Sequence, residues 1–251
     1  MQKVYFKDTV GNRVCGILSI PNQASALVIT SHGFTSTKES KIYQELQEEL
    51  NTRSIGTLRY DYYGRGESDG QFEETTLTKT LASLQAVIQY ARTQGNYKIG
   101  LIGSSFGGLL SLLAAARDPL IQALALKSSV VDPILFWKNR LNPQRIEQWK
   151  KEGILHYDDC GEKFDLNYTF WEDLQTYHTL EEAKNIHCPT LIVHGDQDTV
   201  VPISQSQALS NILHTPVQTV AEANHDYAKP EQYAQVKKTI VDFITSQLLN
   251  H

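Results

Sequence analysis

Short apolar runs alternate with segments of helical spacing along most of this chain, and that rhythm leaves few folds open. Residues 26–31 and 189–194 are apolar runs bounded by turn residues, the mark of buried strands, and 55–60, 98–103 and 121–128 read the same way. Helical patterns near 38–53, 76–94, 106–117, 203–213 and 230–249 lie between and after them, with a short strand near 216–220. Alternation of this kind predicts a mostly parallel sheet with helices on both faces. Two opening strand signals, about 2–8 and 13–20, are joined by Thr9-Val10-Gly11-Asn12, whose turn chemistry predicts a hairpin on one edge. The expected sheet has eight strands.

The rhythm breaks between 131 and 185. That stretch is too long for a bare connection in a compact domain. It is dense in aromatics: Phe136, Trp137, Trp149, Tyr157, Tyr168, Phe170, Trp171 and Tyr177. It is expected to form an inserted cap of short helices, with a small hairpin, over the strand ends, leaving 1–130 and 186–251 as the core. The aromatics either build the cap's own core or face a substrate.

The strongest chemical signal is Gly103-Ser104-Ser105-Phe106-Gly107, directly after a strand and before a helix. A strand-to-helix turn this tight strains the backbone at Ser105, and small residues two before and two after let the chains approach. The serine hydroxyl is then held at the carboxyl edge of the sheet, above a helix N-terminus that favours developing negative charge. A serine needs a base to take its proton and an acid to orient that base. In a strand–Gly-x-Ser-x-Gly–helix arrangement the chain order is Ser, acid, His. His225 is the histidine between the last strand and the last helix, and Asp196 and Asp198 both follow the strand at 189–194. Asp198 is favoured, since Asp196 follows Gly195 and suits a turn-forming role. The remaining histidines, His251 among them, read as surface, turn or core residues.

Two amide donors are expected to meet the oxyanion: the N–H of Phe106, and the N–H of Phe34 in His32-Gly33-Phe34, with Gly33 letting the backbone turn inward and His32 bracing the loop. The loop Asp61-Tyr62-Tyr63-Gly64-Arg65-Gly66-Glu67-Ser68 has neither the Lys-Ser/Thr of a P-loop nor the ligand spacing of an EF-hand, and is expected to position neighbouring catalytic backbone.

Composition closes other routes. A net charge of −5 with scattered Lys and Arg argues against nucleic acid as a partner. No run of about 18 apolar residues suggests a transmembrane helix, and the strand-like N-terminus has no apolar signal region. Cys15, Cys160 and Cys188 are an odd count without CxxC spacing, expected as free thiols in a reducing compartment such as the cytoplasm. No cofactor or metal is implied.

Taken together, His32-Gly33-Phe34, Asp61-x-x-Gly64-x-Gly66-x-Ser68, Gly103-x-Ser105-x-Gly107, Asp198 and His225 resemble the α/β-hydrolase superfamily, over about 14–248. Within it the chain looks most like serine aminopeptidase-type hydrolases and bacterial cinnamoyl or feruloyl esterases. The resemblance implies an α/β-hydrolase fold, a triad of Ser105, Asp198 and His225, an oxyanion hole from Phe34 and Phe106, and a compact cap. Ser104 and Glu222-Ala223-Asn224 depart from the family pattern at the pocket rim. The expected activity is hydrolysis of a small-molecule carboxylic ester with an aromatic or short-to-medium acyl group. Thioesterase and peptidase or amidase activity are the alternatives with the same triad. A non-catalytic ligand receptor is the alternative of another class.

Overall fold

A computed structural model describes residues 1–159 and 161–249, so Cys160 and His251 lie outside the described residues. In chain order the strands are β1 (Gln2–Lys7), β2 (Arg13–Ser19), β3 (Ala26–Ser31), β4 (Ile55–Tyr60), β5 (Lys98–Ser104), β6 (Ile121–Lys127), β7 (Ile154–Asp159), β8 (Glu162–Asn167), β9 (Thr190–Gly195) and β10 (Val217–Val220). The helices are α1 (Lys41–Thr52), α2 (Leu77–Thr93), α3 (Phe106–Arg117), α4 (Pro133–Arg140), α5 (Pro143–Glu152), α6 (Thr169–Leu174), α7 (Thr179–Ala183), α8 (Ser204–Leu213) and α9 (Pro230–Leu249).

Eight strands form one sheet in the order β1-β2-β4-β3-β5-β6-β9-β10. From β4 to β10 neighbours run parallel, while β2 is antiparallel to both β1 and β4. The β1–β2 turn is fastened by Asp8, whose carboxylate accepts from the N–H groups of Val10 and Asn12 at 3.0 and 2.9 Å.

The parallel strands read as apolar runs because both faces are covered. Leu27 and Ile29 of β3 and Leu124 and Leu126 of β6 pack with Leu81, Leu84, Leu109 and Leu113 of α2 and α3. Their alternating neighbours, Ala26, Val28, Ala123 and Ala125, pack on the other face with Leu46 and Leu50 of α1 and Ile240 and Ile244 of α9. Period-two alternation therefore sends successive side chains of each strand to the two helix layers in turn. Each large side chain so buried stabilises the fold by about 1.5–3 kcal/mol relative to exposure.

The inserted layer is held by local signals. Asp132 accepts from Leu135 N–H at 2.9 Å and Asn142 from Arg145 N–H at 2.8 Å, each followed by proline at the first helical position. Gly153 ends α5 with φ +79°, and β7 and β8 pair as a separate antiparallel hairpin. Trp149, Phe170 and Trp171 are buried, with Trp149 Nε1–H donating to the Leu166 carbonyl at 2.9 Å. The last helix before β9, α7, packs on α3 and α8, so the chain has rejoined the core before residue 185.

Candidate active site

The turn from β5 into α3 puts Ser105 at the helix N-cap with φ 54° and ψ −120°, a strained conformation for any residue but glycine. The surroundings impose it. Ser105 N–H donates to the Lys127 carbonyl at 3.1 Å, and the Ser105 carbonyl accepts from Gly108 and Val130 N–H at 3.0 and 3.1 Å. A Cβ on Gly107 would lie 2.1 Å from the Ser31 carbonyl oxygen, and one on Gly103 would lie 2.4 Å from the Gly107 oxygen. The two glycines are thus a packing requirement that presses α3 against β3 and β5.

The loops after β9 and β10 meet beside this turn. His225 Nδ1 lies 2.7 Å from Asp198 Oδ2. The other oxygen, Oδ1, accepts from Val200 and Val201 N–H at 2.9 and 2.8 Å, which fixes the carboxylate plane. Burial alone would raise this carboxyl. Hydrogen bonds from His194, His225 and Val201 N–H outweigh it and hold Asp198 well below the usual carboxylate range. Asp196 is exposed.

His194 is a contact that the sequence reading missed. It is fully buried, with Nε2 at 2.8 Å from the Val201 carbonyl and 3.2 Å from Asp198 Oδ2. A carbonyl can only accept, so Nε2 carries the proton, and Nδ1 accepts from Ser206 Oγ–H at 2.7 Å. Its position at the end of a buried strand is the signal that could have found it.

On the other side of Ser105 lies the loop after β3. Tyr62 donates its hydroxyl to the carbonyls of Gly33, at 3.0 Å, and Phe34. Arg65 donates to the Ser36 carbonyl at 3.0 Å and to that of Thr35. Buried Asp61 accepts from Lys38 N–H at 2.8 Å, Lys38 Nζ at 2.7 Å and Glu67 N–H at 3.0 Å. The Asp61–Ser68 loop therefore clamps the segment that carries Phe34. His32 stacks on Tyr62 at 4.2 Å and Nδ1–H donates to the Gly33 carbonyl at 2.8 Å. Burial pushes His32 down to about 4 despite the nearby Asp61 carboxylate, so it is a neutral brace. Gly33 differs from expectation: it has no positive φ, and a Cβ there would face Ser105 Cβ at 3.8 Å. That is ordinary van der Waals contact, and the turn does not use the positive-φ freedom of glycine.

Ser105, His225, Phe34 and Phe106 all line one cleft of about 390 Å³, walled on the cap side by Phe136, Trp137 and Tyr157. Part of the cap's aromatic set therefore faces the cleft, while Trp149, Phe170 and Trp171 are buried. Lys127, also unforeseen from sequence, lines the cleft beside Ser104. A larger groove of about 760 Å³ along α2, lined by Phe6, Tyr90 and Arg92, shares no residue with it. Among the described residues no cluster of three or more His, Cys, Asp or Glu side chains could hold a metal ion.

The family model described as the prolyl oligopeptidase family matches residues 60–251, well over half the chain. The chain belongs to the prolyl oligopeptidase family. Like other α/β hydrolases, this family member has close structural counterparts. Est1E of Butyrivibrio proteoclasticus, solved with ferulic acid bound, superposes with a TM-score of 0.84 at 29% identity, covering 97% of this chain and 98% of that one. The human mitochondrial palmitoyl-protein thioesterase ABHD10 is 26% identical over 211 residues, 82% of this chain and 68% of its own length. The mouse α/β hydrolase domain-containing protein 10 shares the fold with a TM-score of 0.81 at 20% identity, covering 97% and 98% of the two chains.

Proposed function

We propose that this prolyl oligopeptidase family member is a serine hydrolase that cleaves carboxylic esters through an acyl-enzyme. The observation that carries the reading is the 2.7 Å contact between His225 Nδ1 and Asp198, in a cleft that His225 shares with a strained serine. With Nδ1–H committed to the carboxylate, Nε2 is the free acceptor. Ser105 Oγ attacks the ester carbonyl as His225 Nε2 takes its proton, and Asp198 stabilises the imidazolium. The carbonyl electron pair moves onto oxygen, where the N–H groups of Phe34 and Phe106 receive it, each worth roughly 3 kcal/mol. As the first residue of α3, Phe106 has no intrahelical acceptor for its N–H, which supports this role. Collapse expels the alcohol with the imidazolium proton. Water, losing a proton to His225, then releases the acid and restores Ser105. The serine proton leaves with the alcohol, and the proton from water replaces it, so the protons balance over one turnover.

Phe34, Phe136, Trp137 and Tyr157 in the cleft wall support an aromatic or medium-length acyl group, as does the ferulic acid bound in Est1E. A thioester is the second reading, favoured by the likeness to palmitoyl-protein thioesterase ABHD10. Among the described residues no helix is long and apolar enough to cross a membrane, and free Cys15 and Cys188 support a reducing compartment such as the cytoplasm.

A fluorophosphonate probe and a panel of hydroxycinnamate esters, acyl thioesters and peptides test the reading. Ser105→Ala is expected to abolish labelling and to lower kcat by about four orders of magnitude or more while leaving the fold intact. Undiminished ester turnover in that variant ends the reading, and an unlabelled wild-type serine favours a ligand receptor.

A further inference from the structure

Lys127 closes β6, in register with Ser104 of β5 on one side and Val193 of β9 on the other. Its carbonyl accepts from the Ser105 N–H at 3.1 Å. Its side chain reaches the other partner: Nζ donates to the His225 carbonyl at 3.2 Å and to Ser104 Oγ at 3.4 Å, and sits 4.6 Å from the centre of the Tyr227 ring. One residue thus ties the serine turn through its backbone and the histidine loop through its ammonium group.

We propose that Lys127 is a positioning residue of this site, tying the His225 loop to the Ser105 turn so that imidazole and hydroxyl keep their places. The proposal rests on the reading of Ser105, Asp198 and His225 as a triad.

The geometry is not that of an ordinary buried lysine. Lys127 is 8% exposed and lines the cleft, yet it makes no ion pair among the described residues. Its hydrogen-bond acceptors are a neutral carbonyl and a hydroxyl, where burial normally demands a carboxylate. The charged and titratable groups around it are Asp226, exposed in the His225 loop, Asp198 behind the imidazole, His225 itself, and Tyr227, whose hydroxyl is shared with Ser128 at 3.0 Å. Tyr43 approaches from α1 through Ser104. Burial lowers Lys127 to about 8 while Asp226 and Asp198 pull it back up, so the ammonium form persists at neutral pH.

The test uses the whole chain with Lys127→Met, which keeps the stem and removes charge and donors, and Lys127→Gln, which keeps a donor on a stem one atom shorter. Lys127→Met is expected to lower kcat per fluorophosphonate-titrated site about ten- to a hundredfold with KM within about twofold. Lys127→Gln is expected to lose less, because its amide can still donate to the loop. A purely structural lysine lowers the number of titratable sites and leaves kcat per site unchanged. A folded Lys127→Met protein, checked by circular dichroism, with wild-type kcat per titrated site overturns the proposal. Should the Met variant not fold, a wild-type kcat per site in Lys127→Gln, whose shorter stem cannot hold both acceptors, overturns it alone. Fluorophosphonate labelling of wild-type Ser105 separates the two levels: labelling with unaffected lysine variants sinks the positioning role alone, and absence of labelling sinks the triad.

Discussion

Replacing Asp198 by asparagine changes one atom, and the hydrogen bonds around it determine which way the new amide faces. Oδ1 receives two main-chain N–H groups, from Val200 and Val201, at 2.9 and 2.8 Å. An NH₂ group cannot accept them, so the asparagine oxygen must take that side. The NH₂ then occupies the place of Oδ2, 2.7 Å from His225 Nδ1 and 3.2 Å from His194 Nε2. Two consequences follow. At His225 the amide donates to Nδ1 and forces the proton onto Nε2, the nitrogen that must accept from the serine. A base in the wrong tautomer is expected to lower kcat by about 10⁴, or about 5 kcal/mol of transition-state stabilisation. At His194 the Nε2–H, already given to the Val201 carbonyl, now faces another donor, and the buried mismatch is expected to cost about 1–3 kcal/mol of stability. For a chain of this length that lowers Tm by several degrees, at roughly 2–4 °C per kcal/mol. Asp196→Asn, at an exposed position, is expected to stay within about threefold of wild-type activity and within about 0.5 kcal/mol in stability. Steady-state ester kinetics and calorimetry on both variants decide it. If Asp196→Asn proves the more damaging, the acid and the network built around it are wrongly assigned.

Gly107→Ala puts a methyl 2.1 Å from the Ser31 carbonyl oxygen, where backbone on both sides leaves no rotamer to relieve it. We expect a loss of about 3 kcal/mol or more, or no soluble folded protein, measured by denaturant titration; an alanine variant of near wild-type stability refutes the packing account of the elbow. Lys127 supplies a pH test of stability. Its folded-state value, about 8, lies below the ordinary 10.5, so the folded protein releases this proton first and the unfolded chain holds more protons across the window between. Stability from this group therefore rises with pH above 8, by about 2 kcal/mol between pH 7 and 9.5. The difference in unfolding free energy between wild type and Lys127→Met should change by that amount over the interval, and a pH-independent difference contradicts it.

The sheet and the serine turn were legible because each depends on local patterns. Apolar runs closed by Gly or Pro marked the strands, and Gly103-x-Ser105-x-Gly107 marks a close approach of chains that glycine alone tolerates. The contacts between loops distant in sequence were less legible. His194 looked like any strand residue until the turn at 196–201 folded back and laid Asp198 against its ring. Lys127 closes an apolar run as many strand-end lysines do, and its meaning depends on where the His225 loop falls. At Gly33 the turn is made without the positive φ that glycine alone would favour. The cap could have been read further: Asp132-Pro133, Asn142-Pro143 and Gly153 are start and stop signals for two helices. Which cap aromatics face the cleft follows from how those helices lie on the core, which no local signal encodes.

The residues around the cleft divide by how they are held. Ser105, Lys127 and the loops bearing Asp198 and His225 hang from β5, β6, β9 and β10, neighbours in one hydrogen-bonded sheet. Strand spacing of about 4.8 Å and the parallel register fix their separations before any side chain contributes. The Phe34 segment has no such frame. It leaves β3 as a loop and is held by Tyr62, Arg65 and the Asp61–Lys38 pair, all from the neighbouring strand-end loop or the segment itself. Its outer side reaches the cap, where Thr35 donates to Asp159 and Arg65, which holds the segment, lies 5.1 Å from the ring of Phe164. On the proposed mechanism, the groups assigned as nucleophile and base are set by neighbouring strands of one sheet, while the amide assigned to the oxyanion is set by side chains that also touch the cap. An ester that fits the cap poorly disturbs the second group without moving the first. Discrimination among acyl groups should then appear in kcat as well as KM, because cap contacts reach the carbonyl oxygen through the Phe34 loop.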